Sequence, residues 1–256
     1  MPAALVTGAT RKAGIAAAVV RALARDGWDV ATTGLRPYDA SEPWGSEPGE
    51  ADEIAGSGRF YEDDLADPAA PARVLEAAES SVGPLTALVA CHTESRLGGV
   101  LDTSAESFDR HVAVNARSLL LLAAEFARRF RGETGSGRIL AFTSGALQGE
   151  VAYGASKAAL ERVVVAAAAE LGSFGITVNA INPGPTETGW ISAELRERFE
   201  AQTPLGRVGR PEDAAELVAF LCSRRGGWIN GQILTSDGGV SVGPTFRRGR
   251  KPSSGT

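Results

Sequence analysis

Tyr153 and Lys157 are the residues whose types and spacing most directly suggest chemistry. They lie four positions apart, near the start of an alanine-rich segment that predicts a helix. This spacing places both side chains on one helical face. A phenol has an unperturbed pKa of roughly 10, and a lysine ammonium beside it is expected to lower that pKa, so that the phenol exchanges a proton more readily. The same spacing also occurs on solvated helices, so the interpretation depends on the rest of the chain.

A glycine-containing loop near the N-terminus is the second feature that suggests chemistry. Residues 5–15 join an apolar run to a helical pattern. Gly8 suits a tight turn, and Gly14 lets the following helix pack closely on the strand. The free N–H groups and positive dipole of a helix N-terminus favour a pyrophosphate. A plain strand-to-helix turn is the alternative interpretation of this loop.

The composition is that of a globular protein and excludes several classes. The 256 residues are 43% hydrophobic and 22% charged, and the net charge of -5 gives no global reason to expect nucleic-acid or membrane partners. Two distant cysteines, Cys91 and Cys222, argue against a disulfide scaffold and favour a reducing, cytoplasmic compartment. No metal is expected, and His92 and His111 are interpreted as structural or surface residues. No apolar run reaches the roughly 20 residues that a membrane span needs.

Short apolar runs alternate with helical patterns along the chain. This alternation predicts an α/β fold, a doubly wound parallel sheet with helices on both faces, within one Rossmann-type domain over residues 1–242. Residues 37–58 are rich in Pro, Gly, Glu and Ser and predict a surface excursion, and residues 243–256 predict a mobile basic tail. The predicted strands are 3–7, 29–33, 59–61, 87–90, 137–143, 177–181 and 233–234. The predicted helices include 14–26, 68–81, one within 105–130, 153–172 and 211–221.

The loop and the Tyr153–Lys157 spacing together resemble the classical short-chain dehydrogenase/reductase family, in particular its 3-oxoacyl-[acyl-carrier-protein] reductases. The family loop T-G-x-x-x-G-x-G is matched by Thr7, Gly8 and Gly14, whereas Lys12 replaces the middle glycine. Tyr153 and Lys157 fit its Y-x-x-x-K pattern. The resemblance implies a Rossmann fold and hydride transfer with a nicotinamide cofactor.

The resemblance extends over nearly the whole chain and implies roles for further residues. The implied catalytic residues are Ser144, Tyr153, Lys157 and Asn115, with Asn115 holding a water beside Lys157. The implied cofactor-binding residues are Gly8, Thr10, Arg11, Lys12, Gly14, Ile15, Arg36, Asp64, Leu65, Ala90, Lys157, Pro183, Gly184, Thr186 and Thr188. Two departures stand out. Residues 90–93 replace the family's N-N-A-G, and Ser144 lies only nine residues before Tyr153, which leaves open whether Thr143 or Ser144 takes the serine role.

The second predicted strand indicates which cofactor to expect. NAD-specific sites usually carry a carboxylate near that strand's end, and this chain has Gly34, Leu35 and Arg36 there. No acid is adjacent to repel a 2′-phosphate, and Arg36 can bind one bidentately. NADP(H) is therefore expected rather than NAD(H), the alternative being that Arg36 is merely solvated.

The resemblance implies a reductase for a ketone, such as a 3-oxoacyl thioester or a secondary metabolite, that assembles as a homotetramer or homodimer. Trp190 and Phe199 are candidates for an apolar substrate wall or for core packing. The alternatives are a catalytically silent NADP(H)-binding sensor or interaction protein, and an epimerase or dehydratase on the same fold.

Overall fold

Seven short apolar segments form one parallel β-sheet in the computed structural model, which describes residues 1–56, 58–145 and 149–243. The strands of the sheet are β1 Ala3–Thr7, β2 Asp29–Gly34, β3 Phe60–Glu62, β4 Ala87–Ala90, β5 Gly137–Phe142, β6 Ile176–Asn182 and β7 Ile233–Thr235. The central strands β1, β4 and β5 are buried along their whole length, as expected of a sheet covered on both faces. Each strand lies within one residue of its predicted bounds.

The strand order is β3-β2-β1-β4-β5-β6-β7. Strands β2 and β3 therefore lie on one side of β1, and β4 to β7 follow one another on its other side. In such sheets the crevice for ligands lies at the carboxyl ends of the strands, where the direction reverses. Here that point lies between β1 and β4.

Helices connect the strands and cover both faces of the sheet. They are α1 Ile15–Arg25, α2 Arg36–Ser41, α3 Glu50–Ala55, α4 Ala70–Val82, α5 Ala105–Val112, α6 Ser118–Arg129, α7 Val151–Leu171, α8 Ala193–Gln202 and α9 Pro211–Cys222. A π-helical segment, Ala113–Arg117, joins α5 to α6, and short 3-10 turns lie at Gly172–Phe174, Arg224–Gly226 and Val240–Val242.

The core consists of two apolar layers separated by the sheet. One layer packs α4, α6 and α7 against one face, with Phe126 and Leu122 among its fully buried side chains. The other packs α1 and α9 against the opposite face around Leu23 and Val218. Both apolar faces of the sheet are covered by helices, which confirms the predicted doubly wound α/β fold.

The structure adds detail to the prediction for residues 37–58 and describes one residue of the predicted tail. Residues 37–58 are not only a surface excursion, because α2 and α3 form there and the segment contacts the glycine loop. The tail predicted at 243–256 lies outside the described residues except for Gly243. Within the described ranges, none of the helices combines the length and the apolar character that a membrane crossing requires.

Candidate active site

Tyr153 and Lys157 lie at the N-terminal end of α7, beside the carboxyl end of β5. The Lys157 ammonium donates a 2.9 Å hydrogen bond to the carbonyl oxygen of Phe142, the last residue of β5. Its Nζ is 5.5 Å from the centroid of the Tyr153 ring. The four-residue spacing thus does place both groups on one helical face, and the strand end fixes the lysine.

The hydroxyl groups of Ser144 and Thr93 lie close enough to the Tyr153 phenol to lower its pKa. Ser144 comes two residues after β5, and Thr93 three residues after β4. The neighbouring hydroxyl of Thr143 instead donates to a carboxylate oxygen of Glu161, 2.7 Å away. Of the two candidates for the serine role, Ser144 is therefore the one in contact with the phenol.

Burial dominates the proton affinities of this pair. Desolvation raises the pKa of Tyr153 to about 12, against the hydrogen bond from Ser144, which lowers it. Desolvation likewise lowers the pKa of Lys157 to about 8. The prediction of a lowered tyrosine pKa is therefore wrong for this structure: both groups are withdrawn from water, and the ammonium is directed toward the Phe142 carbonyl.

Asn115 lies inside the π-helical segment, and its side chain is fully engaged with protein groups. Its Oδ1 accepts from the Glu94 amide at 2.8 Å, and its Nδ2 donates to the Glu94 carbonyl at 2.9 Å and to Ser156 Oγ at 2.8 Å. Thr93 Oγ1 also donates to Oδ1 at 3.2 Å. The side-chain amide therefore fixes the loop after β4 against α7.

His92 takes over a structural role in the stretch that replaces N-N-A-G. Its Nε2 donates to the Val114 carbonyl at 3.0 Å, so Nδ1 is the acceptor for the Thr7 hydroxyl at 2.6 Å. Burial, with the positive charge of Lys157 second, lowers its pKa to about 3. The neutral ring therefore links the end of β1 to the π-helical segment.

The glycine loop packs closely on this stretch. Gly8 has φ +74, and a Cβ there would lie 2.7 Å from the His92 amide nitrogen. The loop leads into Gly14, which precedes Ile15, the first residue of α1. Within the described chain, no side chain caps this end of α1 and no acid lies in its first turn. The uncapped N–H groups and the helix dipole suit a phosphate at that position.

Carboxylates hold the other donors of the loop. Asp39 on α2 hydrogen-bonds to the Thr10 hydroxyl and lies 3.1 Å from Nε of Arg11. The Lys12 amide donates to Glu50 at 3.1 Å, and the Lys12 ammonium pairs with Glu53. These donors are of the kind that binds phosphate oxygens, and here the chain's own carboxylates occupy them.

Arg36 is also paired, contrary to the expectation that no acid lies near it. Its guanidinium binds both carboxylate oxygens of Asp52 at 2.9–3.0 Å and Glu62 at 2.5 Å, and lies over the Phe60 ring. The adjacent sequence contains no acid, but α3 and β3 bring two acids from elsewhere in the chain. A phosphate at Arg36 has to compete with both.

The remaining predicted cofactor residues also follow strand ends. Ala90 ends β4, Asp64 and Leu65 follow β3, and Pro183, Gly184, Thr186 and Thr188 follow β6. The Asp64 carboxylate pairs with Arg110 at 3.2 Å, and Thr188 offers its carbonyl oxygen to Arg11 at 2.8 Å. The sheet thus brings all of them to one edge, around the crevice between β1 and β4.

Sequence reasoning assigned no role to three residues of this edge. Thr93 contacts the Tyr153 phenol. Glu94 is 2% exposed and binds Arg110 at 2.9 Å, and Asp39 lies on the glycine loop. In the sequence, residues 90–93 depart from the family pattern, and this departure could have indicated Thr93. Nothing comparable in the sequence marks Glu94 or Asp39.

The switch point of this doubly wound sheet brings together a glycine-containing loop after β1, a Tyr–Lys pair on α7 and a serine after β5. This combination is typical of nicotinamide-dependent oxidoreductases. The family described as Enoyl-(Acyl carrier protein) reductase matches residues 8–241. The chain belongs to the classical short-chain dehydrogenase/reductase family, as its sequence predicts.

Relatives and solved structures agree over almost the full length. The chain is 38% identical to the uncharacterized oxidoreductase YjdA of Bacillus subtilis, over 94% of this chain and 97% of that protein. It is 35% identical to an NADPH-dependent aldehyde reductase-like chloroplastic protein of Arabidopsis thaliana, over 92% and 93%. A short-chain dehydrogenase/reductase from Serratia marcescens has a similar structure, with a TM-score of 0.82 and 32% identity, over 94% of this chain and 98% of that one. The protein is therefore an enzyme that acts on CH–OH or C=O groups.

Proposed function

We propose that this oxidoreductase transfers hydride reversibly between NADP(H) and a ketone or secondary alcohol. One observation carries the proposal: the Tyr153 phenol lies next to the Ser144 hydroxyl and beside the buried Lys157, at the carboxyl edge of the sheet. When bound, the nicotinamide supplies or accepts the hydride.

The chain's own residues handle the proton and the oxygen of the substrate. Ser144 donates a hydrogen bond to the carbonyl oxygen, and Tyr153 donates its proton to the same oxygen during reduction. Burial raises the pKa of the Tyr153 phenol to about 12, so the phenol is protonated at neutral pH, and the phenolate that forms has to be stabilised before Tyr153 can act as an acid. The Lys157 ammonium stabilises the phenolate as it forms, because the low local polarity strengthens their attraction.

The choice of NADP(H) over NAD(H) is supported by Arg11 and Arg36 and by the name of the Arabidopsis relative. Arg36→Ala tests the preference. If Arg36 binds the 2′-phosphate, this variant loses affinity for NADPH and keeps its affinity for NADH in direct titrations. If the parent and the variant each bind NADPH and NADH with equal affinity, the proposed preference for NADP(H) is wrong.

A ketone with an apolar portion suits the segment after β6. The Trp190 and Phe199 rings pack edge to face, with centroids 6.0 Å apart, and Trp190 is 43% exposed. The loop after β4 carries further exposed apolar side chains, those of Leu97, Val100 and Leu101. We therefore include 3-oxoacyl thioesters and secondary-metabolite ketones among the substrates to be tested.

Oxidation of NADPH by the purified protein, with a panel of ketones and 3-oxoacyl thioesters, tests the function. The matched control is Tyr153→Phe, which keeps the ring and removes the proton donor. The expected result is turnover in the parent and a loss of roughly 10²–10⁴-fold in the variant, which still binds NADPH. Near-parental turnover in the variant would overturn the assignment of Tyr153. Product without net NADPH consumption would favour an epimerase or dehydratase.

A homodimer or homotetramer in a cytoplasmic, reducing setting completes the proposal. Exposed apolar side chains lie along the faces of α5, α6 and α7, namely Phe108, Leu120 and Val165. Both cysteines are free, and Cys222 is buried. A monomer in size-exclusion chromatography with light scattering would remove the oligomer.

A further inference from the structure

An acidic side chain occupies the phosphate-binding end of the crevice. The Asp39 carboxylate contacts Thr10 through one oxygen and Arg11 through the other, 3.1 Å from Nε. The Trp44 indole N–H donates to the same carboxylate at 3.0 Å. The Asp39 and Arg11 side chains are each 15% exposed, so this ion pair is largely shielded from water. We call Thr10, Arg11, Asp39 and Trp44 the Asp39 cluster.

Arg11 extends the Asp39 cluster across the crevice. Its Nη1 donates to the Thr188 carbonyl oxygen at 2.8 Å, and its guanidinium lies 5.4 Å from the Trp44 ring centroid. A Cβ on Gly189 would lie 3.6 Å from Arg11 Nη1. The arginine thus bridges the loop after β1 and the segment after β6, the two regions between which a dinucleotide must extend.

Further contacts hold residues 36–55 over this edge of the sheet. The Tyr38 hydroxyl accepts from the Ser95 amide at 3.1 Å, and Glu42 pairs with Arg96 at 3.2 Å. On the other side, Glu50 accepts from the Lys12 amide. The segment is therefore attached both to the glycine loop and to the loop after β4.

A carboxylate and a phosphate use the same donors, so they cannot bind Arg11 and Thr10 in the same way at once. We propose that Asp39 is an internal competitor of the cofactor phosphates: it holds residues 36–55 over the crevice, and the dinucleotide binds when Thr10 and Arg11 exchange Asp39 for phosphate oxygens. This inference rests on the proposed function, because it takes a nicotinamide dinucleotide as the ligand.

Removal of the Asp39 carboxylate is expected to lower the apparent Kd for the cofactor. When the binding-competent form is only a fraction of the protein, the apparent Kd is the intrinsic Kd divided by that fraction. If the Asp39 cluster keeps about nine-tenths of the molecules closed, its removal tightens binding about tenfold. Association also becomes faster, since fewer encounters meet a closed crevice.

Direct titration of NADPH and NADH tests the inference without requiring turnover. Asp39→Asn keeps the side-chain shape and removes the negative charge. Glu216→Gln is the matched control, because it also removes one negative charge, and Glu216 pairs with Arg25 at the C-terminal end of α1, away from the glycine loop. We measure Kd by calorimetry and the association rate by stopped-flow tryptophan fluorescence, after checking that each variant unfolds cooperatively.

The expected result is a Kd for NADPH about tenfold lower in Asp39→Asn, with faster association, and a control within about twofold of the parent. An equal gain for NADH identifies the pyrophosphate as the group that displaces Asp39, and a larger gain for NADPH identifies the 2′-phosphate. If Asp39→Asn does not fold, Trp44→Phe, which removes the indole hydrogen bond to Asp39 and keeps an aromatic ring beside Arg11, is expected to tighten binding by a smaller factor.

If the parent binds either cofactor, unchanged or weaker affinity in Asp39→Asn overturns the inference and leaves the proposed function standing. The same holds for Trp44→Phe where that variant replaces Asp39→Asn. Binding of neither cofactor by the parent or by the variant overturns the proposed function as well. Binding by the variant together with none by the parent supports both.

Discussion

The hydroxyl groups of Thr143 and Ser144 have different partners although the residues are adjacent. Thr143 Oγ1 donates to Glu161 on α7 at 2.7 Å, and Ser144 hydrogen-bonds to the Tyr153 phenol. Both partners lie on α7, eight residues apart along the helix. One hydroxyl therefore serves packing between β5 and α7, and the other serves the reacting group.

Ser144→Ala and Thr143→Val separate these roles by kinetics. We expect Ser144→Ala to lower kcat/KM by about 10²-fold, because it removes a hydrogen-bond donor to the substrate oxygen. Thr143→Val keeps the side-chain shape and is expected to change kcat/KM only a few-fold while lowering the thermal midpoint. The assignment fails if Thr143→Val shows the larger loss of kcat/KM.

Thr93 Oγ1 donates to Asn115 Oδ1 in this structure, and we expect this hydroxyl to turn toward Tyr153 and stabilise the phenolate when it forms. Thr93→Val keeps the shape and removes the hydroxyl, whereas Thr93→Ser keeps the hydroxyl. A hydrogen bond to a charged group contributes roughly 1.5–3 kcal/mol, so Thr93→Val should lower kcat by about tenfold or more and shift the pH profile of alcohol oxidation to higher pH. Thr93→Ser should retain most of the activity. Equal losses in both variants would indicate that Thr93 acts through packing only.

The sheet and the Tyr153–Lys157 geometry could be predicted because both depend on local periodicity. Alternating apolar runs and helical patterns determine the seven strands, and a four-residue spacing determines which side chains share a helical face. Glycines at the turn of the β1–α1 loop mark a position that other residues resist. These signals lie within a few residues of the feature they predict.

The partners of the charged groups could not be predicted, because they come from distant segments. Asp39 reaches Arg11 only through the path of residues 36–55, which have no clear period in sequence. Glu62 and Asp52 reach Arg36 from β3 and α3. The tyrosine pKa depends on burial by several elements, which the four-residue spacing does not encode.

Gly8→Ala is expected to destabilise the protein and abolish cofactor binding. Two effects add: φ of +74 disfavours a side chain, and the new Cβ would lie 2.7 Å from the His92 amide nitrogen. Gly27→Ala is the matched control, since Gly27 has φ +84 but nothing within 4 Å of the added Cβ.

Urea unfolding and NADPH titration of both glycine variants separate strain from contact. The control is expected to lose roughly 1–2 kcal/mol of unfolding free energy, the cost of a left-handed conformation, and to bind NADPH normally. Gly8→Ala is expected to lose clearly more. Equal losses in the two variants would show that the approach to His92 relaxes without cost.

Burial of the Lys157 ammonium predicts a pH-dependent stability. Its pKa is about 8 in the folded protein and 10.5 in the reference state. Between these values the unfolded chain binds more protons than the folded one, so this group makes the unfolding free energy rise with pH. Below pH 8 the cost of burying the charge is fully present.

Lys157→Met removes this contribution while keeping a long apolar side chain. The difference in unfolding free energy, parent minus variant, is expected to rise by up to about 1.4 kcal/mol per pH unit between about pH 8 and 10, and to be flat from pH 6 to 7. Lys12→Met is the matched control: that lysine is exposed and its pKa is raised by the hydrogen bond to Glu53, so its difference should not rise over the same range. Urea titrations at pH 6, 7, 8, 9 and 10 measure both differences. A flat difference for Lys157→Met would mean that the ammonium keeps an ordinary pKa, and the stabilisation of the phenolate by a desolvated cation would then have to be abandoned.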